Sequence, residues 1–288
     1  MKNKYKKIIF YAVIMLCALY AFGKEQKACA ARSAYVDLKT EQIVNSSKTY
    51  KKYDVTGDQK EDKLKISIER VGETKNDGRL CIYINDKLVY ESLAADYMFW
   101  NIGLVYLENG KVFFDIRSMV GSDDLGIHML YEYENGELKC SCDFLEYYNR
   151  YANYYDVSIY KVKGNVISVK AHAQFLTTGN FLSYNMKYEY KDGNIQRASK
   201  VHAILYEQGQ RNKWTANRSI KVYENPGSKK VVYTLKKKDV ITINKVVYKG
   251  RKIYFQIKDK RGKGKTGYIL AADEYPDKLY FLEAKYSG

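Results

Sequence analysis

Lys63-Leu64-Lys65-Ile66-Ser67-Ile68, followed after a short gap by Cys81-Ile82-Tyr83-Ile84-Asn85-Asp86, is the stretch that decides the fold. Leu64, Ile66 and Ile68 point one way and Lys63, Lys65 and Ser67 the other, a period of two that only an extended strand presents as two distinct faces. Asn85-Asp86 then supplies two residues that tolerate the positive backbone angles of a tight hairpin turn. Working outward, the same grammar recurs. Lys111-Val112-Phe113-Phe114-Asp115-Ile116 and Asn165-Val166-Ile167-Ser168-Val169 read as strands, while Asn109-Gly110, Asn135-Gly136, Gly164-Asn165 and Asp192-Gly193 read as turns. With 30 tyrosines and only two prolines, the composition suits an antiparallel meander. The expected fold class is all-β; a short helix between Asp143 and Tyr155 is the one helical candidate.

The N-terminus reads differently. Four lysines between Met1 and Lys7 precede an uncharged apolar run from Ile8 to Phe22, and Ala28-Cys29-Ala30 offers a small-residue cleavage site. That order is a secretory signal peptide, 1–30, and the apolar run is short for a membrane span of ~20 residues. Residues 31–47, polar and without period, read as a spacer or one weak helix. Residues 48–208 read as a larger β-rich domain whose ligand the sequence does not name. Gln208-Gly209-Gln210-Arg211-Asn212 marks a boundary, and 213–288 has the length of a small barrel.

Beyond the leader, three cysteines remain, Cys81, Cys140 and Cys142, too few for a disulfide scaffold. Cys140 and Cys142, two apart on one strand, are expected on the same face and badly placed to bond each other. Charge is sharply partitioned. Residues 213–288 carry 19 Lys and Arg against 7 Asp and Glu, whereas residues 31–212 carry 24 against 25. Such asymmetry marks contact with a polyanion. For an exported chain, teichoic acid, peptidoglycan carboxylates and anionic lipid come before nucleic acid.

Residues 213–288 show Ile220-Lys221-Val222-Tyr223, the loop Asn225-Pro226-Gly227-Ser228, Leu235-Lys236-Lys237-Lys238-Asp239-Val240-Ile241-Thr242-Ile243, Ile253-Tyr254-Phe255-Gln256-Ile257 and Gly264-Lys265-Thr266-Gly267-Tyr268-Ile269. This succession resembles the bacterial SH3-like (SH3b) family, whose closing pattern is G-K-T-G-W-[IV]. Lys238 stands where that family has glycine, and Tyr268 where it has tryptophan. The resemblance implies a small SH3-like barrel that binds cell-wall peptide or glycan, following the larger antiparallel β-meander domain that the strand and turn pattern predicts. Its implied contacts are Tyr223, Tyr254 and Tyr268 with Lys236, Lys237, Lys238, Lys263 and Lys265. Aromatic faces stack on sugars or peptides, and lysines attract phosphate or carboxylate in a salt-sensitive way.

Asp54-Val55-Thr56-Gly57-Asp58-Gln59-Lys60-Glu61-Asp62 resembles the calcium loop of VCBS/FG-GAP-type repeats, with Thr56 and Gln59 departing from its pattern. The resemblance implies bound Ca²⁺ held by side-chain oxygens of Asp54, Thr56, Asp58 and Asp62 and the carbonyl of Lys60. Calcium takes six to eight oxygens, so this set is incomplete. The competing reading is a polar turn whose aspartates cap backbone N–H groups.

Catalysis leaves little trace. The three histidines, His128, His172 and His202, lie apart in strand-like runs, and no H-E-x-x-H, G-x-S-x-G or phosphate loop occurs. The expectation is a secreted, cell-envelope-associated, non-enzymatic binding protein of Gram-positive type, tethered by its basic module to peptidoglycan or teichoic acid. A cell-wall hydrolase with unrecognised catalytic residues, and a carbohydrate- or host-protein-binding protein, are the alternatives.

Overall fold

The computed structural model describes residues 33–42, 46–71, 78–94, 97–120, 124–146, 152–206, 212–259, 264–272 and 277–284. The expected leader, 1–30, and Lys263 lie outside them. Every strand pairing is antiparallel, and no helix occurs among the described residues. The all-β reading stands.

β1 (Ala34–Gln42) is followed by a meander of β2 (Ser46–Tyr53), β3 (Asp62–Arg70), β4 (Gly78–Ile84) and β5 (Lys87–Ala94), hydrogen-bonded in that order. β6 (Tyr97–Tyr106), β7 (Val112–Val120), β8 (Asp124–Glu134) and β9 (Glu137–Asp143) make a second meander, which β1 joins at β6. β10 (Ala152–Lys163), β11 (Val166–Phe175), β12 (Asn180–Lys191), β13 (Asn194–Arg197) and β14 (Val201–Leu205) begin the third sheet. β15 (Trp214–Thr215), β16 (Ile220–Tyr223), β17 (Val231–Leu235), β18 (Val240–Lys249), β19 (Lys252–Asp259) and β20 (Thr266–Leu270) complete it, in the order β10-β11-β12-β14-β18-β19-β20-β16-β17. The turn residues act as their chemistry requires. Asn85 and Asp86, with φ of 52° and 66°, close the β4–β5 hairpin, and Asn135-Gly136 and Asp192-Gly193 close two others with the same double positive φ.

The five-stranded sheet is a middle layer. Its Trp100, Ile102, Leu104, Phe114 and Ile116 pack against Leu64, Ile66, Ile82 and Ile84 of the four-stranded sheet. From its opposite face, Val105, Phe113 and Leu130 pack into the third sheet beside Val157, Val169 and Tyr184. Each such side chain, fully buried, contributes about 1.5–3 kcal/mol. Burial on both faces explains why β7 reads Val-Phe-Phe-Asp-Ile. Its one inward acid, Asp115, accepts from Tyr35 Oη at 2.9 Å and shares a 2.8 Å hydrogen bond with His128 Nε2. The Tyr35 ring lies over Gly103, where a side chain would collide with it at 2.6 Å.

Phe175 of β11 meets Phe255 of β19 edge-on at 5.1 Å, although four steps of the sheet order separate their strands. Strands sit ~4.8 Å apart, so a flat sheet would hold those rings about 19 Å apart; the third sheet folds over on itself.

Four sequence expectations change. Residues 34–42 are a strand in the middle sheet, not a spacer or helix, because their partner β6 is supplied from some sixty residues later. No boundary in the sheet or core falls at 208–212: Val201, His202 and Ala203 of β14 pair with Val247, Val246 and Lys245 of β18, and one core runs from Val105 to Phe281. The C-terminal strands therefore continue an open sheet, and no barrel closes among the described residues. Asp143 ends β9 and Phe144–Glu146 form a turn, with β10 starting at Ala152, so the described part of the proposed helix is not helical.

Candidate functional site

Two of the three tyrosines expected as contacts are direct neighbours. Tyr223 of β16 stands opposite Tyr268 of β20, both half-buried, on the outer face of the third sheet. The row continues with Gln256, which donates from Nε2 to Tyr268 Oη at 2.9 Å, and then Lys245. Lys221 and Lys258 share this face by strand alternation and are exposed. Ile220, Val222, Phe255, Ile257 and Ile269 take the opposite, core-facing positions. Alternation thus drives the lysines and tyrosines outward together. Tyr254 has outward register too, but only 7 % of it is exposed, so its ring is packing rather than contact surface.

The expected lysines divide. Lys236, Lys237 and Lys238 are exposed in the β17–β18 turn, and Lys265 is exposed just before β20. The turn is braced by Asp239, whose Oδ2 accepts from Lys236 N at 2.7 Å. Lys238 has φ of 75°, the left-handed angle for which glycine is best suited, at a cost of about 1–2 kcal/mol. Among the described residues Lys221, Lys229, Lys236, Lys237, Lys252, Lys258 and Lys265 make no ion pair, and Lys230 is balanced by Glu224 at 2.7 Å. Sequence reading missed Lys221, Lys245 and Lys258; their outward alternation with Ile220, Val246 and Ile257 was the available signal.

The acidic loop folds as a cap set. Asp54 accepts from Gly57 N (2.7 Å) and Gln59 N (2.8 Å), Asp58 from Lys60 N (2.9 Å), and Asp62 from Val55 N (2.9 Å), Thr56 N (3.1 Å) and Asn85 Nδ2 (2.7 Å). Gln59, at the position where the calcium-loop pattern has glycine, takes φ of 68°. Carboxylate oxygens of Asp54, Asp58 and Asp62 lie within 4.8 Å of one another. Thr56 Oγ1 and the nearby Tyr106 hydroxyl are enclosed with no hydrogen-bond partner. Burial first, then the charge of Asp54, pushes the Tyr106 hydroxyl's pKa far up. Three acids converge here with spare lone pairs and no basic side chain bonded to them among the described residues, a setting that fits a hard cation.

Three histidine hydrogen bonds among the described residues lead to no reachable nucleophile. His128 is bound to Asp115, and His202 Nδ1 donates to Asn185 O at 3.1 Å. His172 Nδ1 lies 2.7 Å from Ser183 Oγ, but Ser183 is wholly buried. The expectation that Cys140 and Cys142 share a face is overturned. Tyr131 pairs with Cys140 and Leu130 with Cys142, so Ser141 bulges and the two thiols take opposite faces. All three cysteines are free. No helix of the described residues is long and apolar enough to cross a membrane. No family model, curated protein or solved structure matches this chain.

Proposed function

We propose that this chain is an exported, cell-envelope-associated binding protein that is held on anionic wall polymer through the outer face of its C-terminal strands, without catalysis. The observation that carries the reading is the Tyr223–Tyr268 pair flanked by exposed lysines, several of them without acidic partners. Stacking on tyrosine gives a sugar or peptide a fixed seat, and unbalanced lysines draw phosphate or carboxylate from a distance. The likeness of residues 213–288 to SH3b modules supports the same assignment, as does the leader-like start of the chain. Calcium at Asp54, Thr56, Asp58, Lys60 and Asp62 belongs to this reading as a structural ion, supported by the converging carboxylates and the enclosed Thr56 hydroxyl.

The test uses the whole chain from residue 31, because β14 and β18 bind the two halves into one sheet. It is co-sedimented with sacculi bearing or lacking teichoic acid across a salt series. Retention that falls steeply as the screening length shrinks from about 10 Å to about 3 Å supports the proposal. Lys221→Gln with Lys258→Gln should release the chain at lower salt, and Tyr268→Ala should weaken it at every salt. Failure to pellet, or retention indifferent to salt, would sink it. Release of soluble muropeptides in the same tubes would replace it with the hydrolase reading.

A further inference from the structure

A cleft of about 460 Å³ opens where the edge of the middle sheet meets the third sheet, well within the size range of small-ligand sites. One wall is the end of β9 and its following turn, which bring Asp143 and Glu146. The other is β13 and the segment after it, which bring Arg197 and Lys200. Tyr188 of β12 and Tyr248 of β18 line it between them. The walls come from different sheets, and acids and bases line one cleft. Glu146 and Lys200 are exposed, and neither makes an ion pair among the described residues. Arg197 is seated on aromatic rings, its guanidinium carbon 3.9 Å from the Tyr248 centroid and 5.8 Å from that of Tyr188. That stacking holds a planar, permanently charged fork at the wall, the form best suited to a carboxylate.

The half-buried Cys142 thiol senses both walls. Its pKa is pushed up to about 12, mainly by burial and then by Cys140, with Asp143 and Glu146 adding to the rise and Arg197 opposing it. Among the described residues the cleft is therefore dipolar, lined by two negative and two positive side chains. The sheet order also ends at β9, so along this cleft the strand has a backbone edge not paired in any sheet among the described residues. An extended chain can add to such an edge.

We infer that this cleft binds a short zwitterionic peptide, its ammonium end toward Asp143 and Glu146 and its carboxylate end toward Arg197 and Lys200. The site is separate from the Tyr223–Tyr268 face, and its occupancy does not require that the protein be tethered to a wall.

The experiment is a titration of the ¹⁵N-labelled chain with trialanine, N-acetyl-trialanine and trialanine amide, followed by backbone NMR shifts. Trialanine should move resonances of β9, β13 and the β18–β19 turn with a Kd of about 1 mM or tighter. Each blocked peptide should bind about 5- to 10-fold more weakly, between the loss of an exposed charge pair and that of a charge-assisted hydrogen bond. Glu146→Gln, at an exposed turn position, should reduce discrimination against the N-acetyl peptide only, Asp143 keeping the remainder. Lys200→Gln should reduce discrimination against the amide only, Arg197 keeping the remainder. Those paired losses distinguish recognition of the two ends from a general disturbance. Equal binding of all three peptides, shifts elsewhere on the chain, or no shifts with trialanine would overturn the inference.

Discussion

Lowering the pH should destabilise this protein through one imidazole. His202 of β14 is 3 % exposed, its Nδ1–H is committed to Asn185 O, and its Nε2 has no partner. Its ring lies 6.0 Å from that of Tyr184 and 5.5 Å from that of Tyr248. Burial first, and the Arg197 charge second, lower its pKa from 6.5 to about 4. The folded state therefore refuses a proton that the unfolded chain accepts. Above the unfolded value the group costs nothing; as pH falls from about 6.5 towards 4, the unfolded state binds more protons and stability is lost. At 1.36 kcal/mol per pKa unit, the loss between about pH 7 and pH 4.5 comes to about 2.5 kcal/mol. Urea unfolding, followed by fluorescence of the buried Trp100 and Trp214, measures it. His202→Gln, neutral at both pH values, should remove that share, while carboxylates common to both chains cancel in the difference. A wild-type and a variant whose stabilities fall in parallel, within about 0.5 kcal/mol, would refute the account of a desolvated, Arg197-repelled imidazole.

Other outcomes follow from single contacts. Gly103→Ala drives a methyl group into the Tyr35 ring, and should cost about 1–3 kcal/mol in urea, a cost that shrinks when the same change is made on a Tyr35→Ala background. Calcium, titrated by calorimetry, should bind the acidic loop with a Kd of about 10⁻⁴–10⁻³ M, the range of extracellular modules. Asp58→Ala should abolish that heat with little loss of stability because Asp58 is exposed, whereas Asp62→Ala should cost about 2–3 kcal/mol by stranding the Val55 and Thr56 N–H groups. Maleimide at mild alkaline pH should label exposed Cys140 first and Cys142 far more slowly, with unfolding equalising them; Cys140→Ser should delete the fast phase.

The local half of this fold was legible because it depends on neighbours in sequence. Leu64, Ile66 and Ile68 alternate with lysine and serine because a strand shows its side chains to two sides, and they fill the core of the four-stranded layer. Asn85-Asp86 and Asp192-Gly193 turn because their own backbones accept positive φ. The strands from Ile220 to Leu270 likewise fall where the apolar alternation puts them.

What stayed hidden depends on partners distant in sequence. Within residues 34–42 the apolar alternation is short, carried by Val36 and Leu38, and the hydrogen bonds that make the segment a strand come from β6. The boundary at 208–212 is a real change of charge, yet backbone pairing ignores side-chain charge and carries β14 onto β18 across it. One inserted residue at Ser141 reversed the faces of Cys140 and Cys142, and a period-two reading has no means of detecting it. Tyr254 obeys the same alternation as Tyr268 but is buried, because alternation sets which way a side chain points and not what lies above it. The dipolar cleft is hidden for the same reason. Asp143, Arg197 and Tyr248 belong to three strands far apart in the chain, and only the stacking of one sheet's edge on another sheet brings their charges and rings to a common space.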